Sequence, residues 1–216
     1  MIDALRKVSL FDSLSEIELE SLAAVVVTRN YPKNTIVVSE GDRSDALYLI
    51  LSGRVKVYVG GEGPRDLVLN IQGPGDYFGE MVLDDGPRSA SVMTLEPCRL
   101  AMLTRERFRT HLHAHPDVAI AVMRNLIRRC RALTETARDL ALLDVYGRLA
   151  KLLLSLAEQD GDRLVVSERL TKQAMGERIG ASREMVSRIL KDLAAGGYIS
   201  MQGGKMVINR KPPANW

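Results

Sequence analysis

The chain has 216 residues, 46% of them hydrophobic and 5% aromatic, which fits two modest domains with aliphatic cores better than one large domain. It has no apolar run of about 18 residues and no basic-then-apolar leader, so we expect neither a membrane span nor a secretory signal. The net charge of +3 is uneven: residues 1–143 carry 18 Lys+Arg against 19 Asp+Glu, and residues 144–216 carry 12 against 8. The basic C-terminal third indicates a polyanionic partner.

Cysteine usage agrees with a location inside the cell. Cys98 and Cys130 are far apart and form no CxxC motif. Two reduced, packed thiols in a cytoplasmic protein are therefore expected. We also expect no bound cofactor and no metal ion.

The N-terminal half contains one short helix followed by many short strands. Ser15 and Glu18 are spaced as a capping box, which predicts a helix through about Val26. Strands are then expected at residues 35–38, 46–51, 55–59, 67–71, 89–94 and 99–103, separated by glycine-containing turns. This pattern of short strands and glycine-containing turns is typical of a β-sandwich or barrel.

Three histidines, His111, His113 and His115, precede Pro116 in a segment expected to be helical or turned. Alternate histidines can bind a metal ion, but on a helix a spacing of two residues points them apart. We therefore expect solvated surface histidines.

A long helix is predicted over residues 116–144. Its apolar residues recur with gaps of 4 and 3, the period of a seam that pairs with a second copy: Ala119, Met123, Leu126, Cys130, Leu133, Ala137 and Leu140. A second stripe of Ile120, Ile127, Thr134 and Ala141 is expected to face the β-domain. The alternative, the core helix of a monomer, is disfavoured by five arginines on the other faces: Arg124, Arg128, Arg129, Arg131 and Arg138.

The C-terminal third is expected to contain a helix at residues 145–158, a polar turn at 159–162 and a short strand at 164–166. Two helices at 171–179 and 182–195 follow, separated by Gly180 and Ala181, and residues 199–208 form a hairpin. Two short helices around a glycine-containing turn predict a helix-turn-helix.

One candidate site combines a glycine turn with charged residues. Gly79 can let backbone N–H groups approach an anion, Arg88 offers a guanidinium fork, and Ser89 adds a hydroxyl donor. Glu80 accepts when ionised, so a sugar hydroxyl is its reasonable partner. These groups match a ribose phosphate, although Glu80 and Arg88 could equally form an ion pair that only steadies a turn.

The second candidate site is the outer face of the second helix of the helix-turn-helix, at residues 182–195. Apolar residues Ile179, Val186, Ile189, Leu190 and Leu193 are expected to pack inward. Ser182 is a good N-cap, and the outward residues can enter a major groove and read base edges: Arg183, Glu184, Ser187, Arg188 and Lys191. Alternatively, Glu184 and Arg188 form an i, i+4 ion pair on a solvated face.

The sequence FGEM at 78–81, with PRSASV at 87–92, resembles the phosphate-binding cassette of cyclic-nucleotide-binding domains. The whole chain is similar to the cyclic-AMP receptor protein branch of the Crp/Fnr transcription factors. The resemblance implies that Gly79, Ser89 and Arg88 contact the cyclic phosphate and that Glu80 binds the ribose. The other ligand-binding positions that it implies are Val57, Leu69, Met81, Val82, Leu133 and Thr134.

The same resemblance implies how DNA is read. Arg183, Glu184 and Arg188 match the pattern that reads a TGTGA half-site, and Lys172, Gln173 and Ser182 fall at phosphate-contacting positions. The final hairpin corresponds to a wing. A homodimer with one reading head per subunit implies a palindromic operator.

The chain departs from the family pattern where a Thr-Ser pair on the long helix contacts adenine. Leu133 and Thr134 stand there, so one of two base contacts is lost. Neighbouring arginines could meet guanine or a second phosphate, which makes cyclic di-GMP the rival of cyclic AMP as effector. The alternative is that these arginines are solvated or pair with acidic groups such as Glu135 and Asp139.

The predicted protein is of the α+β class. It has an N-terminal cyclic-nucleotide-binding β-roll (a jelly roll, residues 1–115), a long dimerisation helix with a hinge (116–143) and a C-terminal winged helix-turn-helix (144–216). We expect a ligand-responsive transcription regulator that works with RNA polymerase and does not contact membranes. The sequence shows no nucleophile–base pair or metal-ligand cluster that would support an enzyme such as a phosphodiesterase. A DNA-binding regulator that needs no ligand is the remaining alternative.

Overall fold

A computed structural model describes residues 1–12, 14–43, 45–60, 66–84, 86–161, 163–168, 170–210 and 212. The chain divides into two compact units. The first contains Met1–Val59 and Leu69–Arg131, and the second contains Gly60–Val68 and Ala132–Trp216. No described helix combines the length and the apolar character that a membrane crossing requires.

The first unit contains several short helices. They are α1 (Ile2–Arg6), a 3-10 turn (Ser9–Phe11), α2 (Glu16–Val25) and α3 (Arg105–Ala114). The predicted capping box is confirmed, because Ser15 Oγ accepts from the Glu18 N–H while Glu18 Oε2 accepts from the Ser15 N–H at 2.7 Å. These two bonds satisfy amide groups that the first turn of α2 leaves without helical partners.

Eight strands among the described residues form two four-stranded sheets, so the expected β-roll is confirmed. The strands are β1 (Val27–Tyr31), β2 (Ile36–Val38), β3 (Ala46–Ser52), β4 (Val55–Gly60), β5 (Asp66–Gln72), β6 (Tyr77–Phe78), β7 (Ser91–Thr94) and β8 (Cys98–Thr104). One sheet has the order β1-β8-β3-β6 and the other β2-β7-β4-β5. The sequence pattern missed β1 and the two-residue β6.

Strand β3 shows why the roll has two apolar clusters. Leu47 and Leu49 point into a core shared with the helices, while Tyr48 and Ile50 point into a second core between the sheets. Successive side chains of a strand alternate between its faces, so a strand buried on both sides must be apolar throughout. The near-continuous apolar run at 46–51 meets that requirement.

Helix α4 (Pro116–Leu142) is continuous for 27 residues. Val118 and Val122 are buried in the core that the roll shares with the short helices, here called the helix-side core. The expectation that the Ile120–Ile127 stripe faces the β-domain is wrong, because these two residues are 42% and 53% exposed. Apolar residues three and four positions apart occur on more than one face of α4, so the sequence alone did not show which face the β-roll covers. The covered face is the one that carries Val118, Val122 and Arg129.

The second unit forms a separate core. Its elements after α4 are α5 (Val145–Ser155), β9 (Ala157–Asp160), β10 (Arg163–Val166), α6 (Lys172–Ile179), α7 (Arg183–Ala195), β11 (Ile199–Gln202) and β12 (Lys205–Ile208). The sheet order is β11-β12-β10-β9. The expected helix to residue 158 and polar turn from 159 are wrong: α5 ends at Ser155, and 157–160 pair antiparallel with β10.

The histidine segment also differs from the expectation of solvated side chains. His113 is exposed, but His111 and His115 are both partly buried. No group of three metal-ligating side chains exists among the described residues.

Candidate functional site

A sharp backbone turn follows β6 in the β-roll. Gly79 adopts the left-handed conformation at φ +86° and begins a 3-10 turn, Glu80–Leu83. A Cβ at this position would lie 2.4 Å from Arg88 Nη1 and 2.9 Å from the carbonyl oxygen of Ala46. Glycine is therefore required both for the conformation and for the close approach of Arg88.

The guanidinium of Arg88 lies against this turn. Its side chain is 4% exposed, Nη2 donates to the Ala46 carbonyl at 2.8 Å, and Nη1 donates to the Gly79 carbonyl at 3.3 Å. Burial lowers the pKa of Arg88 below its ordinary value. Arg88 Nε is buried and has no hydrogen-bond partner among the described residues, which leaves one N–H available to a ligand.

Glu80 is held by a residue on the long helix. Its Oε1 lies 2.7 Å from Arg129 Nη1, with the two side chains 13% and 25% exposed. Arg129 Nη2 also donates to the Tyr77 carbonyl, and its guanidinium lies 5.2 Å from the centre of the Tyr77 ring. The second carboxylate oxygen, Oε2, is buried without a partner in the described part of the chain. The carboxylate therefore keeps one acceptor for a ligand.

A pocket of about 60 Å³ lies between these groups, and its lining includes most of the predicted ligand residues. Val57, Met81 and Ser89 line it together with Gly79, Glu80 and Arg88. Leu69 and Val82 are not among the lining residues, and Val82 is fully buried in the helix-side core. The open space is far smaller than the 300–1,000 Å³ of a typical ligand site, so a nucleotide would have to displace side chains.

Arg129 lines the pocket although it was not among the predicted site residues. One of the two alternatives for the arginines of the long helix is that they are solvated or pair with acidic groups such as Glu135 and Asp139. That holds for Arg138, which contacts Glu135 at 2.8 Å, but Arg129 pairs with Glu80 instead. Its position seven residues after Val122, on the same helix face, is the signal that could have indicated it.

Leu133 and Thr134 lie on the part of α4 that belongs to the second unit, and both side chains are exposed. Their assignment to the ligand therefore stays a prediction.

The helix-turn-helix is built from two capped helices. Thr171 Oγ1 accepts from the Ala174 N–H before α6, and Ser182 Oγ accepts from the Met185 N–H before α7. Between them Gly180 adopts the left-handed conformation at φ +65°. Caps and turn thus arise from the local sequence, as expected for this motif.

Helix α7 has a buried face and an exposed face, as its sequence predicts. Val186, Ile189 and Leu193 are buried with Ile179, and Leu190 is partly buried. The predicted DNA-contacting residues Arg183, Glu184, Arg188 and Lys191 are all exposed, while Ser187 is partly buried. The protein core therefore leaves the polar face available.

The polar face is not closed by ion pairs. Glu184 and Arg188 make no salt bridge among the described residues, and Arg188 Nη2 instead lies 2.9 Å from Met185 Sδ. On the neighbouring helix, Lys172 Nζ donates to Ser187 Oγ at 2.8 Å, and Gln173 bonds to Glu177. The expected alternative of a Glu184–Arg188 pair is not present, and both side chains can meet other partners.

Both parts of the chain match known domain families. Residues 28–115 match the cyclic nucleotide-binding domain, and residues 147–212 match the Crp-like helix-turn-helix domain. A CRP-like cAMP-activated global transcriptional regulator of Mycobacterium tuberculosis (strain CDC 1551 / Oshkosh) is 33% identical over 97% of this chain and 96% of its own length. The cAMP-activated global transcriptional regulator CRP of Salmonella typhimurium is 33% identical over 82% of this chain and 87% of its own length.

Solved structures are similar as well. The c-di-GMP-responsive global regulator CLP of Xanthomonas campestris has a TM-score of 0.78 and 29% sequence identity, covering 90% of this chain and 99% of that one. The catabolite activator protein of Thermus thermophilus has a TM-score of 0.57 and 30% identity, covering 93% of both chains.

We expect Arg129→Met to destabilise the protein by roughly 2–3 kcal/mol, because it leaves the Glu80 carboxylate in a poorly hydrated place without its cation. The double variant Glu80→Gln, Arg129→Met should recover most of this loss. Urea denaturation at pH 7 measures both effects, and Arg128→Met, one residue away and exposed, is the matched control. Equal stabilities for the Arg128 and Arg129 variants would contradict the role given to the ion pair.

Proposed function

This chain belongs to the Crp family of cyclic-nucleotide-responsive, DNA-binding transcription regulators, and we propose that cyclic AMP is its effector. One observation carries the proposal: two residues that line the same pocket each keep a buried polar atom without a protein partner, Nε of Arg88 and Oε2 of Glu80. One is a cationic donor and the other an anionic acceptor. A phosphate joined to a ribose hydroxyl supplies the complementary pair.

Each ligand contact follows from this pairing. The cyclic phosphate binds Arg88, the Ser89 hydroxyl and backbone groups at Gly79, and the ribose 2′-hydroxyl donates to Glu80. The base lies towards Val57 and Leu69, Met81 borders the pocket, and the buried Val82 supports the cassette from the core. From α4, Leu133 and Thr134 approach the base, with the Thr134 hydroxyl as its polar contact.

Cyclic di-GMP is the second candidate effector, and Arg129 is the observation that favours it. Arg129 brings a second cation to the pocket, where a second phosphate or the acceptor edge of guanine could bind it. Leu133 also lacks the hydroxyl expected of an adenine contact. A similar solved structure is that of a c-di-GMP-responsive regulator.

The proposed switch is a population shift between two arrangements of α4. In the described arrangement Arg129 joins α4 to Glu80. A ligand that bridges Arg88 and Thr134 would replace part of this contact and favour one register of the dimer seam. Residues 137–144 would act as the hinge that orients the DNA-binding heads.

We propose a homodimer because the described α4 surface exposes a row of large apolar side chains. Met123, Leu126 and Leu133 of the predicted seam are 49%, 40% and 49% exposed. A second copy placed on this row would bury these side chains and relate the two DNA-binding heads by a two-fold axis. Within each subunit we assign residues 1–115 to the ligand-binding domain, 116–143 to the dimerisation helix and 144–216 to DNA binding.

DNA binding is assigned to the outer face of α7. Arg183 and Arg188 bind guanine, and Glu184 accepts from cytosine in a TGTGA-type half-site of a palindromic operator. Lys172, Gln173, Ser182, Ser187 and Lys191 contact the flanking phosphates and groove edges. We also propose a cytoplasmic protein that acts with RNA polymerase at promoters and that is not an enzyme.

Arg88→Ala should lower the affinity for cyclic AMP by roughly 100-fold, because the buried guanidinium is the main partner of the phosphate. Isothermal titration calorimetry with cyclic AMP, cyclic GMP and cyclic di-GMP measures the loss and identifies the effector. Arg43→Ala removes the same charge from an exposed neighbouring loop and should bind as the wild type does. Unchanged affinity in the Arg88 variant would overturn the pocket assignment. Full operator binding by nucleotide-free protein would support the ligand-independent alternative.

Arg183→Ala should weaken binding to the specific operator by roughly 1–3 kcal/mol and relax discrimination at one base pair. Lys172→Ala, at a phosphate-contacting position, should weaken binding to specific and random DNA alike. It should also lower the slope of the logarithm of the binding constant against the logarithm of the salt concentration by about 1. Fluorescence anisotropy with both kinds of DNA at several salt concentrations separates the two behaviours. Equal losses on specific and random DNA for Arg183→Ala would exclude base readout by this residue.

Mild oxidation should link two copies of the chain through Cys130. This residue lies on the proposed seam, where a two-fold axis places each position opposite its own copy within reach of a disulfide. Non-reducing electrophoresis should show a covalent dimer for the wild type and for Cys98→Ser, since Cys98 is 3% exposed. Cys130→Ser should give none. A monomer in solution by light scattering would contradict the proposed assembly.

A further inference from the structure

Two histidines lie together where α3 meets α4. His111 is in the last turn of α3, and His115 follows four residues later as its C-cap. Their ring centroids are 4.4 Å apart, and the His115 N–H donates to the His111 carbonyl at 2.9 Å. Protonating both rings would place two positive charges within this distance, which is unfavourable.

The immediate surroundings of the His111 ring disfavour its charged form. Its ring packs edge-on against Phe11 of the 3-10 turn, with centroids 5.9 Å apart. Nε2 is buried and has no hydrogen-bond partner among the described residues. An imidazolium needs an acceptor or water at each nitrogen, so the charged form does not fit this site.

His115 differs because it faces a carboxylate. His115 Nδ1 lies 3.0 Å from Glu18 Oε1, and Glu18 also completes the capping box at the start of α2. The titratable groups that face His111 are therefore His115 from the end of its own helix and Glu18 from α2, while the 3-10 turn contributes the uncharged Phe11. Glu18 pairs with His115 rather than with His111.

The histidine pair adjoins the apolar core that holds α4 on the roll. Phe11, Leu19 and Leu22 from the N-terminal elements share that core with Phe108 of α3 and Val118 of α4. Movement of the His111 ring out of its site would withdraw support from these side chains. A local opening there would loosen the attachment of the first turns of α4.

We propose that His111 is an acid-sensitive latch at the α3–α4 junction. In its neutral form the ring packs against Phe11 and keeps the 3-10 turn and α2 seated on α3. Protonation drives the ring into water, because the buried Nε2 has no acceptor among the described residues and the nearby Glu18 carboxylate contacts His115. Acid thereby releases the N-terminal helices from the β-roll.

The direction of the pH effect follows from proton binding. Burial, with a smaller contribution from His115, lowers the pKa of His111 from 6.5 to about 4. Between these two pH values the open state binds more protons than the closed state, so stability is full above about 6.5 and falls as the pH decreases towards 4. Hydrogen bonds with Ser15 lower the pKa of the Glu18 carboxyl below its ordinary value, so the Glu18 effect falls at a lower pH than that of His111.

The test compares urea unfolding of the full chain at pH 7.5 and pH 5.0. The wild-type unfolding constant should increase on acidification by on the order of tenfold more than that of His111→Leu. His113→Leu is the matched control, because it removes an exposed histidine from the same helix and should keep the wild-type response. A His111→Leu variant with the full wild-type pH response would overturn the proposal.

A second measurement does not depend on whether a His111 variant folds. The chain has only three histidines, so proton NMR of the imidazole Cε1–H groups can follow each one across the pH range. The His111 signal, assigned by elimination with His113→Leu and His115→Gln, should not titrate above about pH 5. Titration of His111 near pH 6.5 in the folded protein would overturn the latch.

Discussion

The ion pair between Glu80 and Arg129 is the contact on which the proposed ligand site depends. It joins the glycine turn of the roll to the middle of α4, with an oxygen–nitrogen distance of 2.7 Å and little exposure of Glu80. Such a pair gives modest net stability, because both charges lose water, but removing one partner is costly. It therefore acts mainly to orient the Glu80 carboxylate and to fix the position of α4 on the β-roll. The Tyr77 carbonyl, which accepts from both Gln72 and Arg129, supports this orientation.

The small pocket and its incomplete hydrogen bonding describe a site that ligand binding must rearrange. Arg88 is hydrogen-bonded to two backbone carbonyls, yet its Nε and Glu80 Oε2 remain without partners. Buried polar atoms of this kind are costly, and a nucleotide that satisfied them would recover that free energy. Because α4 is continuous from Pro116 to Leu142, a displacement of Arg129 is also a displacement of the helix that carries the proposed dimer seam. The effector could thus be coupled to DNA binding without a separate relay.

Two positions along the α3–α4 segment, the α3–α4 junction and the middle of α4, have different electrostatic characters. At the ligand site, opposite charges are paired across the roll and the helix. At the histidine pair, a neutral ring is kept in an apolar setting next to a second titratable ring. Both positions contribute to seating α4, one through charge pairing and one through packing of a neutral imidazole. The proposed ligand and the proposed protonation of His111 would therefore act on the same helix by separate routes.

The sequence by itself determined the elements whose causes are local. The Ser15, Thr171 and Ser182 caps, most strands of the roll and the exposed face of α7 follow from near neighbours and from the periods of strand and helix. Tertiary structure alone decided which face of α4 the roll covers, which of its arginines enters the pocket, and that residues 157–160 form a strand. It also brought His111 and His115 beside Phe11 and Glu18. These outcomes depend on residues distant in sequence, because a helix with several apolar stripes and five arginines offers several faces of similar merit, and only the shape and charge of the opposing surface select one.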